Sequence, residues 1–304
     1  MKSPHVLMLF LDGVGIGAKD PAKNPFFAAK MLSLKTLLGG VMPHSRNSFY
    51  GSSIASLRPL NATLGVGGLP QSGTGQTALL TGRNAARIIG KHFGPYPYST
   101  LRPILSGENI FRRVQSIGKV PFFANAYPRQ YFEYIESHKS RRSAMTMSWI
   151  SSGYNLNDSR SLGEGRALSA DITNERWNKL GFPHVSVISP QEAGRRLIEL
   201  TIRNDFVLYE YYLTDHAGHK QSMAEAVNIL ETIDELIQGI LDAFDHHSMT
   251  FILTSDHGNM EDLSTKSHTR NPVPLLVVGK GHRDTCANAR NLTHVVPAIL
   301  KLLG

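Results

Sequence analysis

HVLMLFLDGVGIG, residues 5–17, holds six consecutive apolar residues that break at once into an acid and a glycine-rich turn. A run this short, apolar at odd and even positions alike, suits a strand covered on both faces, as in a parallel sheet. Three more runs repeat the design. FVLYEYYL (206–213) precedes Thr214-Asp215, MTFILT (249–254) precedes Ser255-Asp256, and VPLLVV (273–278) precedes Gly279. KVPFFANAYP (119–128) reads as one more core strand. Helical patterns lie between them. Over 224–244, Ala226, Ile229, Leu230, Ile233, Leu236, Ile237, Ile240 and Leu241 recur at three- and four-residue steps, and 191–203 and 294–303 are shorter versions. Alternating strands and helices predict an α/β fold, a doubly wound and mostly parallel sheet.

In such sheets ligands bind at the carboxyl edges of the strands, and Asp12, Asp215, Asp256 and His257 fall at those edges. The stretch from about 129 to 183 is polar and aperiodic. The expected organisation is therefore a core over 1–127, a small inserted cap over 128–185, and the rest of the core over 186–304.

Composition narrows the class. Across 304 residues, 41% are hydrophobic and 18% charged, which excludes general disorder. The net charge of +8 favours anionic partners. Residues 21–107 carry nine Lys or Arg and no acid, predicting a positive face near the glycine-rich loop. No nucleic-acid module is recognisable and the aromatics are not interleaved with basic runs, so no specific nucleic acid is expected. The first apolar run is too short for a signal segment, and no later run approaches a membrane span. A single cysteine, Cys286, excludes an internal disulfide framework and fits a reducing compartment. The expectation is a soluble, cytoplasmic protein without a membrane partner.

Four motifs carry chemistry. DGVGIG (12–17) loosely matches a dinucleotide fingerprint, but position 33 is Ser and the next acid is Glu108, so the ribose-binding acid is missing. Asp12 is then the functional residue. LGVGGLPQSGTGQTALLTGR (64–83) is a glycine-rich loop leading into a helix expected to start near Gly75 or Gln76, with Ser72, Thr74 and Thr77 at its mouth. Free amides and the positive dipole end there favour a phosphate. It is neither a Walker A loop nor a G-x-S-x-G elbow. Asp215 and His219 stand four apart in DHAGH. TSDHGNMEDLSTKSHTRNPVP (254–274) adds Asp256, His257 and His268, with Glu261 and Asp262 read as solvated loop charges or a helix start.

Together these supply three Asp, three His and a hydroxyl, which divide into two metal sites. Mixed carboxylate and imidazole donors suit Zn²⁺ or Mn²⁺, and two such ions clamp an in-line phosphoryl displacement. A Ser-His-Asp triad can be drawn from the same set, but it leaves the remaining acids and imidazoles without a role.

DGVGIG, QSGTGQ with TGR, DHAGH, and SDHGN with HTRNPVP, in this order, resemble the alkaline phosphatase superfamily. Within it the pattern is similar to cofactor-independent phosphoglycerate mutase and phosphopentomutase, over roughly 5–90 and 190–304. The resemblance implies Ser72 as a transiently phosphorylated nucleophile, with Thr74 as the alternative. It implies one metal on Asp12, Ser72, Asp256 and His257, and a second on Asp215, His219 and His268. Ser72 and Asp215 stand 143 positions apart, part of which must be core, so the cap is smaller than in those mutases. Thr74 and Gln76 replace an apolar residue and a His of the mutase pattern, and the Cys-x-Pro-Ser-Arg of sulfatases is absent. The expected function is a two-metal phosphoester hydrolase or phosphodiesterase acting on a small phosphorylated metabolite. The alternatives are a phosphomutase or phosphotransferase, and a catalytically silent phosphometabolite-binding protein. His92, Arg129 and Arg166 are candidate readers of the substrate.

Overall fold

The computed structural model describes residues 4–47, 49–137 and 141–304. Seven strands form one sheet: β1 His5–Leu11, β2 Tyr50–Gly51, β3 Ala55–Leu60, β4 Pro121–Phe123, β5 Phe206–Tyr211, β6 Met249–Thr254 and β7 Val273–Gly279. Their order is β2-β3-β7-β6-β1-β5-β4. The four strands β4, β5, β1 and β6 run parallel, with Leu7 between Val207 and Phe251.

Strand β1 is buried along nearly its whole length because each face meets its own core. Leu7, Leu9 and Leu11 join one apolar cluster with the helices Pro190–Arg203 and Met223–Asp242. Val6, Met8 and Phe10 join the other, with the helices Ser72–Thr81 and Val295–Leu303. Two-sided burial of this kind requires the uninterrupted apolar runs seen in the sequence. The long helix starts at Met223, where the Ser222 side chain accepts from the Glu225 amide.

Two features depart from the sequence reading. Strand β7 runs antiparallel to both β6 and β3, because no crossover helix separates it from β6 and the chain turns back through a loop. Strand β3, in ASLRPL, was not marked by any apolar run, since Arg58 and Pro59 interrupt it. The reversal of β7 has a consequence: its first residue, rather than its last, lies at the carboxyl edge of the parallel strands, so the loop carrying His268 spans that edge.

Part of the middle stretch packs into the core. The helix Ala144–Ser151 is built into the core, with Trp149 edge-on to Phe111 at 5.0 Å. Tyr209 of β5 donates its hydroxyl to the Ser169 carbonyl at 2.7 Å. What overhangs the strand edge is the helix Arg129–Glu136 and the short helix Glu175–Lys179. Among the described residues no helix is long and apolar enough to cross a membrane.

Candidate metal centre and active site

Asp12 follows β1 directly, and its amide donates to the Tyr211 carbonyl at the end of β5. The chain then turns at Gly13, with φ of +68°. A Cβ there would stand 2.5 Å from Asp215 Oδ1, so any larger residue would push the second acid away. Asp215 and His219 lie on a helix, Leu213–Lys220, rather than a strand-end turn. Four positions on a helix share one face, and His219 Nε2 lies 3.2 Å from Asp215 Oδ2. His268 arrives on the β6–β7 loop, its Nε2 3.6 Å from Asp215 Oδ1 and 3.3 Å from His219 Nε2.

The backbone fixes both rings. His219 Nδ1 donates to the Lys266 carbonyl at 2.7 Å, and His268 Nδ1 donates to the Pro70 carbonyl at 2.8 Å. Each Nε2 is thereby left as the lone-pair nitrogen, aimed with its neighbour at one carboxylate. Burial, reinforced by the adjacent His257, pushes the His268 imidazole down to about 4.

A second group surrounds His257. Its Nε2 lies 2.9 Å from Ser72 Oγ, 3.2 Å from Asp12 Oδ1 and 3.6 Å from Asp256 Oδ2. Burial alone would lower this imidazole, but Asp256, Asp12 and Asp215 outweigh it and push it up to about 10. Burial beside Asp12 in turn raises Asp256 well above the usual carboxylate range. Three acids this close and this dry repel one another unless positive charge stands among them.

The donor set fits divalent cations. Asp215, His219 and His268 offer ligand atoms within 4.8 Å of one another, and so do Asp12, Asp215 and His257. Asp12 Oδ1 and Asp256 Oδ2 are buried with no hydrogen-bond partner, an expense that a coordinated ion removes. A Ser-His-Asp relay does not fit. There the acid holds the imidazole nitrogen opposite the hydroxyl, whereas here His257 Nδ1 faces the Gly258 carbonyl and both acids share the Nε2 side with Ser72.

Ser72 opens the helix Ser72–Thr81, which begins three to four residues earlier than the sequence suggested. Its position in the first turn gives the hydroxyl the amide-rich, positive end of the helix. Thr74, the alternative nucleophile, is withdrawn by the same geometry: it is fully buried, donates to the Gln71 carbonyl and accepts from the Phe93 amide. Gln76 donates to Asp12 Oδ2 at 3.2 Å.

A cavity of about 790 Å³ leads from Asp12, Ser72 and Asp215 outward beneath the overhanging segments. None of the three expected substrate readers lines it. His92 turns toward the Val66 carbonyl, Arg129 pairs with Glu133 at 2.8 Å in solvent, and Arg166 is held by Glu164. In each case a nearer local partner takes the side chain. Arg176, Lys179 and Glu210 line it instead. Glu210 was legible as the one acid inside an apolar strand. Burial, with Asp12 nearby, pushes its carboxyl up to about 8.

Glu261 also corrects the sequence reading. It is buried, not solvated, and accepts from the Gly15 and Asn259 amides at 2.8 Å and from Asn271 at 3.0 Å. It ties the loop after β1 to the loop after β6, while Asn259 Nδ2 donates to Asp215 Oδ1 at 2.7 Å.

Residues 182–304 match the Metalloenzyme superfamily model. The chain is 29% identical over 127 residues to 2,3-bisphosphoglycerate-independent phosphoglycerate mutase of Desulforudis audaxviator, covering 38% of this chain and 25% of that protein. It is 32% identical over 127 residues to the mutase of Pseudomonas fluorescens, with the same coverage. The matched stretch thus spans about a quarter of those relatives' length. In fold, Thermus thermophilus alkaline phosphatase superposes with a TM-score of 0.61 at 12% identity, covering 100% of this chain and 92% of that one. Leishmania mexicana phosphoglycerate mutase superposes with a TM-score of 0.52 at 13% identity, covering 100% and 96%. The matched segment holds Asp215, His219, Asp256, His257 and His268; over it the chain is similar to the Metalloenzyme superfamily and to the 2,3-bisphosphoglycerate-independent phosphoglycerate mutases, and its fold is similar to that of alkaline phosphatases.

Proposed function

We propose that this protein is a two-metal phosphoester hydrolase in which Ser72 accepts the phosphoryl group. One observation carries the reading: Ser72 Oγ, 2.9 Å from His257 Nε2, sits on a helix N-terminus at the inner end of the cavity, flanked by both ligand clusters. Asp12, Asp256 and His257, with Ser72 itself, would hold one ion, and Asp215, His219 and His268 the other. Mixed oxygen and imidazole donors favour manganese or zinc. When bound, such ions lower the pKa of the serine hydroxyl and neutralise the phosphoryl oxygens.

The chain's own groups do the rest. The Ser72 and Gly73 amides at the helix start face a phosphate favourably. The Ser72 hydroxyl gives up its proton to solvent as its oxygen bonds to phosphorus, the ester P–O bond breaks, and the departing alkoxide takes a proton from solvent to leave as the alcohol. Water then attacks the phosphoserine, releasing inorganic phosphate and restoring the hydroxyl. Hydrolysis is favoured over a mutase reaction because a mutase must hold its intermediate under an enclosing cap. Here the overhang is two helices of eight and five residues. Lone, buried Cys286 favours a reducing, cytoplasmic setting, and the partner is a small phosphorylated substrate.

The test is hydrolysis of phosphomonoesters and diesters with added Mn²⁺ or Zn²⁺. Ser72→Ala should lose about a thousandfold or more in rate, and brief incubation of the parent should leave a phosphoserine visible by intact mass. Equal rates for parent and variant would overturn the assignment.

A further inference from the structure

The cavity is larger than the reaction centre needs. At about 790 Å³ it falls in the range of sites for drug-sized ligands, roughly 300–1,000 Å³. Its lining combines acidic, aromatic and basic side chains.

Glu210 lines the cavity together with Ser72 and Asp12. Asn125 clamps its backbone from both sides, Nδ2 to the carbonyl at 2.7 Å and Oδ1 from the amide at 2.8 Å. The Glu210 carboxyl itself has no hydrogen-bond partner among the described residues, and it opens into the cavity. Strand β5, which carries Glu210, lies between β1, which leads into Asp12, and β4, which leads toward Tyr127.

Beyond Glu210 the wall is aromatic. Tyr127 and Tyr131 stack at 4.3 Å and 23°, and Tyr134 follows at 6.3 Å and 43°. Their hydroxyls are already engaged: those of Tyr127 and Tyr131 bond Thr146 Oγ1, and that of Tyr134 accepts from the Arg141 amide. What this wall has left to offer is ring surface. Trp177 and Tyr212 line the same cavity. Arg176 and Lys179, whose side chains make no ion pair among the described residues, add positive charge that draws a phosphoester inward.

We propose that the cavity takes a nucleotide-like phosphoester, with the phosphorus at Ser72, a hydroxylated linker at Glu210 and a planar ring on the Tyr127–Tyr131–Tyr134 wall. The order of the groups in the cavity is the order of phosphate, sugar and base in such a molecule. A carboxyl both donates to and accepts from sugar hydroxyls, and a tyrosine face stacks any base with little regard to its identity. This proposal rests on the phosphoester reading of Ser72, and the experiment separates the two.

Adenosine 5′-monophosphate and ribose 5-phosphate share one primary alkoxide leaving group, so a rate difference between them reports the ring alone. The expected kcat/KM ratio is about tenfold or more in favour of the nucleotide. Tyr131→Leu should bring the ratio toward one, Tyr134→Leu should lower it, and Tyr131→Phe, which keeps the ring, should restore it. Ser72-dependent turnover of both esters at equal kcat/KM would overturn the ring site while leaving the phosphoester reading intact. A second arm needs no catalysis: calorimetric titration of the protein with adenosine and with ribose. Binding of adenosine but not ribose, weakened in Tyr131→Leu, supports the ring site even if no ester is turned over. Absence of adenosine binding would overturn it.

Discussion

Among single residues, the buried acids divide by what compensates them. Glu261 is satisfied by backbone amides and side-chain donors, and Asp234 by the Ser33 and Leu34 amides at 2.9 Å. Asp12 Oδ1 and Asp256 Oδ2, buried without hydrogen-bond partners, are left for the cations proposed above. Glu210 has neither, so burial holds it protonated near neutral pH, with an ordinary value of 4.5 raised to about 8. A raised carboxyl means that the folded state binds more protons than the unfolded one between those values. The stability Glu210 contributes is fully present below about 4.5 and is lost as pH rises through about 8. Glu210→Gln has no such dependence. In chelator-treated protein its stability relative to the parent should therefore increase from pH 5 to pH 9, as read by urea denaturation. An equal difference at both pH values would contradict the environment assigned to Glu210. These compensations were not legible in the sequence, because Gly15 lies 246 positions from Glu261, and Ser33 and Leu34 lie 201 and 200 from Asp234. The candidate ligands Asp12, Asp215, Asp256 and His257 stood out in the sequence because each closely follows an apolar run.

Among elements, the helices Pro190–Arg203 and Met223–Asp242 touch backbone to backbone. A Cβ on Gly239 would stand 2.0 Å from the Gln191 carbonyl oxygen, and one on Gly194 would stand 2.3 Å from that of Leu236. In an isolated helix Gly→Ala is stabilising by about 1 kcal/mol. Here the helices must part to admit the methyl group, at a cost of about 1–3 kcal/mol or more. Gly239→Ala should therefore lower the free energy of unfolding, and a rise in the urea midpoint would show that the helices do not meet this closely. The sequence predicted these helices from their apolar stripes, and predicted β1, β5 and β6 from their two-sided burial. It did not reveal the direction of β7, which depends on the absence of a crossover, or β3, whose Arg58 and Pro59 mask it. Nor did it show that Ala144–Ser151 is core, because that helix packs on a neighbour distant in sequence.

For the whole molecule, the proposed two-metal site would act as a staple between the first strand and the last third of the chain. Each ion at a hundred times its Kd adds about 2.7 kcal/mol to stability. Its removal also leaves Asp12, Asp215 and Asp256 mutually repelling. Chelation should lower Tm by roughly 5–10 °C, with recovery on readdition of Mn²⁺ or Zn²⁺. An unchanged Tm would mean that no ion joins these segments. The same layout shapes how the protein is born. The central strand, β1, has for neighbours only β5 and β6, which begin at Phe206 and Met249. At synthesis rates of about 5–20 residues per second, a nascent chain carries this sticky ribbon for roughly 10–40 seconds before its first mate emerges from the ribosome. Until then both flanks are open to other polypeptides, so chaperone occupancy early in translation should govern the yield of folded protein more than the stability of the finished fold does.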